Sequence, residues 1–404
     1  GRYPNAGREC EDVAALAVSL ANLARTQEAT LLPDEVSRNL EIRTDFGRVS
    51  QAFPVDKSYF YDRPDFREVV RSSLQSSGIC IVTAPPGAGK SWDLTCLAEE
   101  LAEDFVVARH YCYLEPGDEL IERRVTTDVF FANILSELYD AEPKICSGSL
   151  RLSADLTTLE EALARGVALG NKLVLIIDGL DHIARVQSAS NTLSDDETDI
   201  IERLSTLTIP EGVSLVRGSQ PGCHLDPLLN RREKDVLSFE LPSWDNEDVI
   251  ELSKLHGVDQ ALMSAGINDF EELELILNTL ADRSAGNPLY VRYLCRGIIT
   301  GLESGVVGNP VDWLLDSPDI GENVAVYYKY LYENILSQAQ AIADLFGVLD
   351  FSVSESELRE ILPGIISSWL PAALNALSPV LIRVTGQGGV RIDRKSTRLN
   401  SSHR

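Results

Sequence analysis

No apolar run in these 404 residues approaches the roughly 18 that a membrane-spanning helix needs, so the chain is not expected to cross a bilayer. Its first residues hold neither an initiator Met nor the apolar core of a secretory signal, and the sequence reads as an internal start. The seven cysteines (Cys10, Cys80, Cys96, Cys112, Cys146, Cys223, Cys295) include no C-x-x-C pair. Several sit in apolar runs, the pattern of buried thiols in a reducing cytoplasm rather than of a disulfide framework. His110, His224 and His256 lack partners at metal-ligand spacing and read as structural. No Ser-His-Asp or Cys-His set can be assembled, and there is no repeat of solenoid length. Basic residues are also short, 36 Lys and Arg against 62 Asp and Glu, a net charge of -26. Such a chain is repelled by phosphate backbones, so direct nucleic-acid binding by this segment is not expected. The exception is residues 394–404, where Arg394, Lys395, Arg398 and Arg404 occur without an acid or a hydrophobic period. That stretch resembles translated sequencing-adapter read-through and reads as a non-native tail, with a genuine basic tail as the alternative.

What is present is an ordinary globular composition, 44% hydrophobic and 24% charged, with room for two to three domains. Residues 1–55 begin with an amphipathic helical pattern, Val13 to Leu23, and read as a helical segment or linker, the end of an effector domain whose main part is missing. Residues 56–243 alternate short β-branched runs with helical stretches, which implies an α/β fold, a parallel sheet flanked by helices. Strands are expected at Ile79–Thr83, Phe105–Tyr113, Leu173–Ile177, Val213–Val216 and Val236–Phe239, and helices at Ser91–Glu103 and Thr127–Tyr139. The acidic run Asp195 to Asp199 reads as a solvated loop leading into a helix. Past Leu241 the strand signal stops. Residues 244–303 form a helical lid domain, with a helix capped by Asp245, a second over Phe270–Leu280 and a third after Ser284-Ala285-Gly286-Asn287-Pro288. Residues 304–393 read as further helices closed by a β-hairpin, Val380 to Thr385 and Val390 to Ile392, the pattern of a winged helix. Tyr327, Tyr328, Tyr330 and Tyr332 read as aromatic packing between helices rather than base stacking.

The most specific run is Ile79-Cys80-Ile81-Val82-Thr83-Ala84-Pro85-Pro86-Gly87-Ala88-Gly89-Lys90-Ser91, with Trp92, the next residue, also expected among the nucleotide-binding residues. An apolar strand ends in a Gly/Pro loop that closes on Gly-Lys-Ser at a helix start, the P-loop arrangement for a nucleoside triphosphate with Mg²⁺. Backbone N–H groups of Gly87, Ala88, Gly89, Lys90 and Ser91 can form an anion nest, Lys90 can reach the β- and γ-phosphates, and the Ser91 hydroxyl is a Mg²⁺ ligand. Ala84 stands where the pattern has its first Gly. The second element is Leu173-Val174-Leu175-Ile176-Ile177-Asp178-Gly179-Leu180-Asp181-His182. A carboxylate at the end of a buried strand needs a cation, so Asp178 is the expected water-mediated partner of Mg²⁺. Asp181 can orient or activate the attacking water. The third element, Val213 to Pro221, should be the next strand, with Arg217 or Gln220 sensing the terminal phosphate or Arg217 making an interstrand salt bridge.

These residues resemble the STAND class of signal-transduction NTPases, closest to its NACHT-type members, over roughly Tyr59 to Ile392. The specific part is Asp178-Gly179-Leu180-Asp181, a small residue after the Mg²⁺ Asp and a second acid two residues on. Gly286-Asn287-Pro288-Leu289 is similar to the family's G-x-P element, which implies that Pro288 lies near the adenine, and Tyr61-Asp62-Arg63-Pro64 to the segment ahead of the P-loop, which implies Arg63 near the base. The chain departs from the family at His182, where an acid is frequent, at Gln220, where a strand-tip Arg is usual, and past the wing, where the family's His falls in the suspect tail. The resemblance implies an ATP/ADP switch with slow hydrolysis, opening and self-oligomerising when ATP-bound, in a cytoplasmic signalling or antiviral-defence protein fused to effector and sensor domains. Two other readings stay open: a DNA-linked AAA+-like ATPase, and a scaffold that binds nucleotide without hydrolysing it.

Overall fold

The computed structural model describes residues 18, 48–53, 55, 61–74, 78–114, 118, 120–145, 154–190, 193–230, 236–320, 325–335, 337–348, 353–377, 380–384 and 389–392. The helix expected over 13–23, apart from Val18, and the tail from 394 lie outside them. In the first unit the elements run α1 (Pro64–Leu74), β1 (Ile79–Thr83), α2 (Lys90–Leu101), β2 (Val106–Tyr111), α3 (Thr127–Ala141), α4 (Leu156–Ala168), β3 (Leu173–Asp178), α5 (Asp181–Ala189), α6 (Ile200–Thr206), β4 (Val213–Ser219) and β5 (Leu237–Glu240). The five strands form one sheet in the order β2-β3-β4-β1-β5, and every pairing is parallel.

Burial explains why the strand signal is continuous apolar rather than alternating. One face packs Ile79, Ile81, Leu175, Ile177 and Leu215 against α3 and α4 through Phe130, Ile134, Leu159 and Leu163. The other packs Cys80, Val82, Val174, Ile176 and Val216 against α1 and α2 through Val70, Leu94 and Leu97. A strand covered on both faces has no polar side to show. All seven residues of β4 are buried, Arg217 included. The strand therefore runs three residues past its expected end at Val216, because the charge that suggested a boundary lies inside the sheet, paired in register with Ile81 and Ile177. His110 is fully buried in β2: Asn133 Nδ2 donates to Nδ1 at 3.1 Å, and Nε2 contacts the Arg124 carbonyl at 2.8 Å. Burial pushes its imidazole down to about 3, so it stays neutral.

The β2 edge is covered by residues 48–53. Gln51 Oε1 accepts from the Tyr111 N–H at 2.6 Å, the Val49 N–H donates to Asn133 at 2.8 Å, and the Phe53 ring packs tilted against Tyr111 at 5.4 Å. The last part of the expected N-terminal linker thus packs onto the sheet unit and satisfies an edge N–H that would otherwise be open. The acidic run around Asp195 is a single 3₁₀ turn, Asp195–Glu197, boxed by Ser194 and Glu197 and leading into α6.

Beyond the sheet come α7 (Asn246–Leu255), α8 (Val258–Ser264), α9 (Phe270–Ser284), α10 (Pro288–Glu303), α11 (Pro310–Asp316) and α12 (Ala325–Asn334). They share one apolar core that runs from Trp244 and Val249 through Leu280 and Leu294 to Tyr327. Here the tyrosines pack helix to helix, with Tyr293 stacked at 5.5 Å on Tyr327. A third core gathers α13 (Ser337–Val348), β6 (Val353–Ser354), α14 (Glu355–Ile361), α15 (Gly364–Ala376), β7 (Leu381–Val384) and β8 (Gly389–Ile392). The hairpin strands β7 and β8 are antiparallel, and the short β6 joins them in the order β6-β8-β7. Among the described residues no helix is long and apolar enough to cross a membrane.

Candidate functional site

The parallel sheet aligns the C-terminal ends of β1, β3 and β4, the edge of an open α/β sheet where ligands bind. The loop after β1 turns through Gly87 (φ 81°) and Gly89 (φ 93°), both in the left-handed region that glycine occupies without penalty. Gly89 is the N-cap of α2, and no side chain caps that helix. A Cβ built on Gly89 would meet nothing within 4 Å, so the space above the helix start is open. An uncapped N-terminus whose N–H groups face open space at a loop of glycines suits an anion.

Lys90, the first residue of α2, forms a direct ion pair with Asp178, the last residue of β3, although they are 88 residues apart. Asp178 is 1% exposed, and burial of a lone carboxylate would be prohibitive without this cation. Gly218 makes room for it: a Cβ there would collide with Asp178 Oδ1 and stand 2.5 Å from Leu94 Cδ1. Asp181 opens α5. Its Oδ1 accepts from the Gln220 backbone N–H at 3.1 Å, and its Oδ2 is held by the Arg185 guanidinium one turn later, with His182 Nε2 at 3.6 Å. His182 stacks on Tyr113 at 4.2 Å.

The sheet brings Lys90, Asp178, Asp181 and Gln220 together, Gln220 through its backbone N–H on Asp181. Arg217 lies inside the sheet, two residues short of the β4 tip. Trp92 turns to a cluster with Phe53, Tyr111 and Leu114. Arg63 lies over the Trp244 ring at 5.1 Å, donates to the Pro242 carbonyl and approaches Asp93 at 4.0 Å. Burial lowers its guanidinium, with Asp93 and Asp248 opposing. Its NH1 is buried with no hydrogen-bond partner, as is the Trp244 indole N–H. Trp244 N donates to Gly286 O at 3.1 Å, so Arg63, Trp244 and the turn before Pro288 form one corner.

Three positions were not singled out from the sequence. Ser219, the true β4 tip, is fully buried and its hydroxyl meets His224 Nε2 at 2.7 Å. Burial lowers the His224 imidazole, Arg185 adds to the effect and Asp226 opposes it. Arg185 follows Asp181 at the i,i+4 spacing that pairs side chains on a helix, a signal that was legible. Asn287 caps α10 and also reaches the P-loop.

The residues present fit a magnesium–nucleotide. Among the described residues no group of three or more His, Cys, Asp or Glu could hold a metal alone. Mg²⁺ is characteristically held by one or two carboxylates together with substrate phosphates and water, which Ser91 and Asp178 beside the nest would complement.

Fold and site together define a P-loop NTPase-type domain. Residues 72–224 match the sequence family described as AAA domain. No curated protein matches the chain. Among solved structures, the chain is similar to the Walker-type ATPase PABY2304 of Pyrococcus abyssi, at 14% identity over 88% of this chain and 99% of that one, with a TM-score of 0.43. It is also similar to the ORC2 protein of Aeropyrum pernix in ADPNP–ADP complexes, at 13% identity, 87% and 93% coverage and a TM-score of 0.39. A third is the RuvB Holliday junction branch migration motor of Thermotoga maritima, at 15% identity, 86% and 97% coverage and a TM-score of 0.33.

Proposed function

We propose that this chain is an ATP- and ADP-dependent molecular switch with slow hydrolysis. The observation that carries the reading is the meeting of Lys90 and Asp178 at the ends of two parallel strands, beside a helix start that no side chain caps. The nest Gly87–Ser91 would hold the phosphates, and Lys90 would exchange Asp178 for phosphate oxygens. Mg²⁺, held by Ser91 and through water by Asp178, would neutralise charge on the β- and γ-phosphates. Asp181 would orient the attacking water through the lone pairs that its contacts to Gln220 N and Arg185 leave open. Arg63, Trp244 and Pro288 would flank the base. The buried NH1 of Arg63 and the indole N–H are the polar atoms left to meet it. The third core, helices beside a three-stranded antiparallel sheet, would be a winged helix.

The finer assignment, a STAND signalling protein of the NACHT type, is supported by Asp178-Gly179-Leu180-Asp181 and by Gly286-Asn287-Pro288-Leu289 at the start of α10. In that reading ATP opens the unit, copies associate, and fused effector and sensor domains act in cytoplasmic defence or signalling. The match of residues 72–224 to the AAA domain favours a second reading equally, a DNA-linked AAA+-like ATPase. Against it stand the net charge of -26 and the stretch Ser367 to Leu374 in α15, which carries no charge. Labelled duplex DNA decides between them: saturable binding at low salt supports the second reading, and none supports the first.

Calorimetry with MgATP tests the site itself. Lys90→Ala should abolish binding. Because it removes the cation that faces the buried Asp178, at a cost of about 3–5 kcal/mol, the double change Lys90→Ala/Asp178→Asn is run beside it to keep the fold. Unchanged affinity in both variants refutes the assignment.

A further inference from the structure

The P-loop of this chain is held from behind by the first turn of α10. Asn287 is buried and works in two directions. Its Oδ1 caps the helix, accepting from Leu289 N at 3.1 Å and Tyr290 N at 3.2 Å, while its Nδ2 donates to the Pro86 carbonyl at 3.0 Å. Leu289 N also points at the Gly87 carbonyl at 3.3 Å. The contact is tight: a Cβ on Gly87 would stand 2.7 Å from Leu289 Cβ and 3.0 Å from Asn287 Oδ1.

Peptide geometry gives this contact a consequence. In a trans peptide the C=O and the following N–H point in opposite directions. Drawing the Pro86 carbonyl toward α10 turns the Gly87 N–H away from that helix. Fixing the Gly87 carbonyl fixes the next plane, whose Ala88 N–H closes a turn on Pro85 O at 3.3 Å. Pro85 and Pro86 have no N–H of their own, so the first nest donor is Gly87, and its direction is set by a side chain 201 residues away. We infer that Asn287 is a positioning residue for the phosphate cradle: it orients the Gly87 N–H and so couples phosphate affinity to the seating of the lid. Withdrawal of α10 removes both carbonyl anchors and loosens the nest, which gives nucleotide exchange a structural route. The inference rests on the proposed triphosphate site and adds a residue on the lid to it.

The test separates cap from anchor. Asn287→Ser keeps a capping oxygen but is one heavy atom shorter and cannot span to Pro86. Asn287→Asp keeps the cap and lacks the donor, and serves if the Ser variant melts early. Mg²⁺-tripolyphosphate, which has no base, and MgATP are titrated into the full chain by calorimetry. Both ligands should weaken by about tenfold, the loss of one buried hydrogen bond, by the same factor and with little change in melting temperature. Wild-type affinity for tripolyphosphate, or weakening of ATP alone, overturns the coupling. Failure of the unaltered chain to bind either ligand sinks the site and the coupling together. Binding that depends on Lys90 but not on residue 287 sinks the coupling only.

Discussion

Asp93 shows how charge is handled beside the cradle. It lies in the first turn of α2, 5% exposed, with Arg67 at 3.4 Å and Arg63 at 4.0 Å. Burial raises its carboxyl to about 6 in spite of both arginines. An acid with a raised folded value stabilises the fold fully below the unfolded value of 3.8, and that contribution is lost as pH climbs through about 6. The stability difference between the unaltered chain and Asp93→Asn should therefore fall by about 2 kcal/mol from pH 4 to pH 7 and then level. Urea melts of the two proteins across that range measure it, and parallel curves would defeat the account. Asp181 calls for a different experiment, since both its oxygens are engaged at the β4 tip and on Arg185. Asp181→Asn should slow single-turnover hydrolysis about a hundredfold while MgATP affinity changes less than threefold. Equal losses in rate and affinity would remove its catalytic role.

The elements that could be read from sequence were those whose local signal and tertiary environment agree. The apolar run before Gly87 is β1, Asp178 does close β3, and Asp245 does cap a helix, accepting from Asp248 N at 2.8 Å. The signal failed where a residue's environment is made by distant chain. Arg217 marks a boundary locally, yet the sheet absorbs it between β1 and β3, and the true tip, Ser219, was hidden by that misplacement. The covering of β2 by Gln51 and the anchor from Asn287 to Pro86 join segments 60 and 201 residues apart, which no periodicity reports. Gly218 is another such case. Its need for no side chain comes from Asp178 and Leu94, not from its own backbone. Gly218→Ala should cost about 1–3 kcal/mol by overpacking and displace the Asp178 carboxylate, so that thermal stability and MgATP affinity fall together. A variant with unchanged melting and binding would show that the strand can yield.

At the scale of the molecule the question is how a phosphate could move anything far away. α10 provides the lever. Its N-terminus touches the P-loop through Asn287 and Leu289, and its 16 residues reach about 24 Å. Midway along it, Arg296 donates to the Leu381 carbonyl of β7 at 3.1 Å, and Val380, the residue before that strand, belongs to the second core rather than the third. The third core is thus attached to the same helix that touches the loop. A switch from 1:99 to 99:1 needs about 5.5 kcal/mol of differential binding, and tight but equal binding to both states would move nothing. The P-loop contacts at the N-terminus of α10 and the β7 contact at its middle are where that difference can be stored. Arg296→Ala cuts the β7 contact only. It should leave MgATP and MgADP affinities within about twofold, because no atom near the nest changes, while reducing the difference in hydrodynamic radius or assembly state between the ATP- and ADP-bound chain. Light scattering on size-exclusion fractions reads both states. An Arg296→Ala chain that still changes size with nucleotide as the unaltered chain does would mean that α10 carries no signal to the third core.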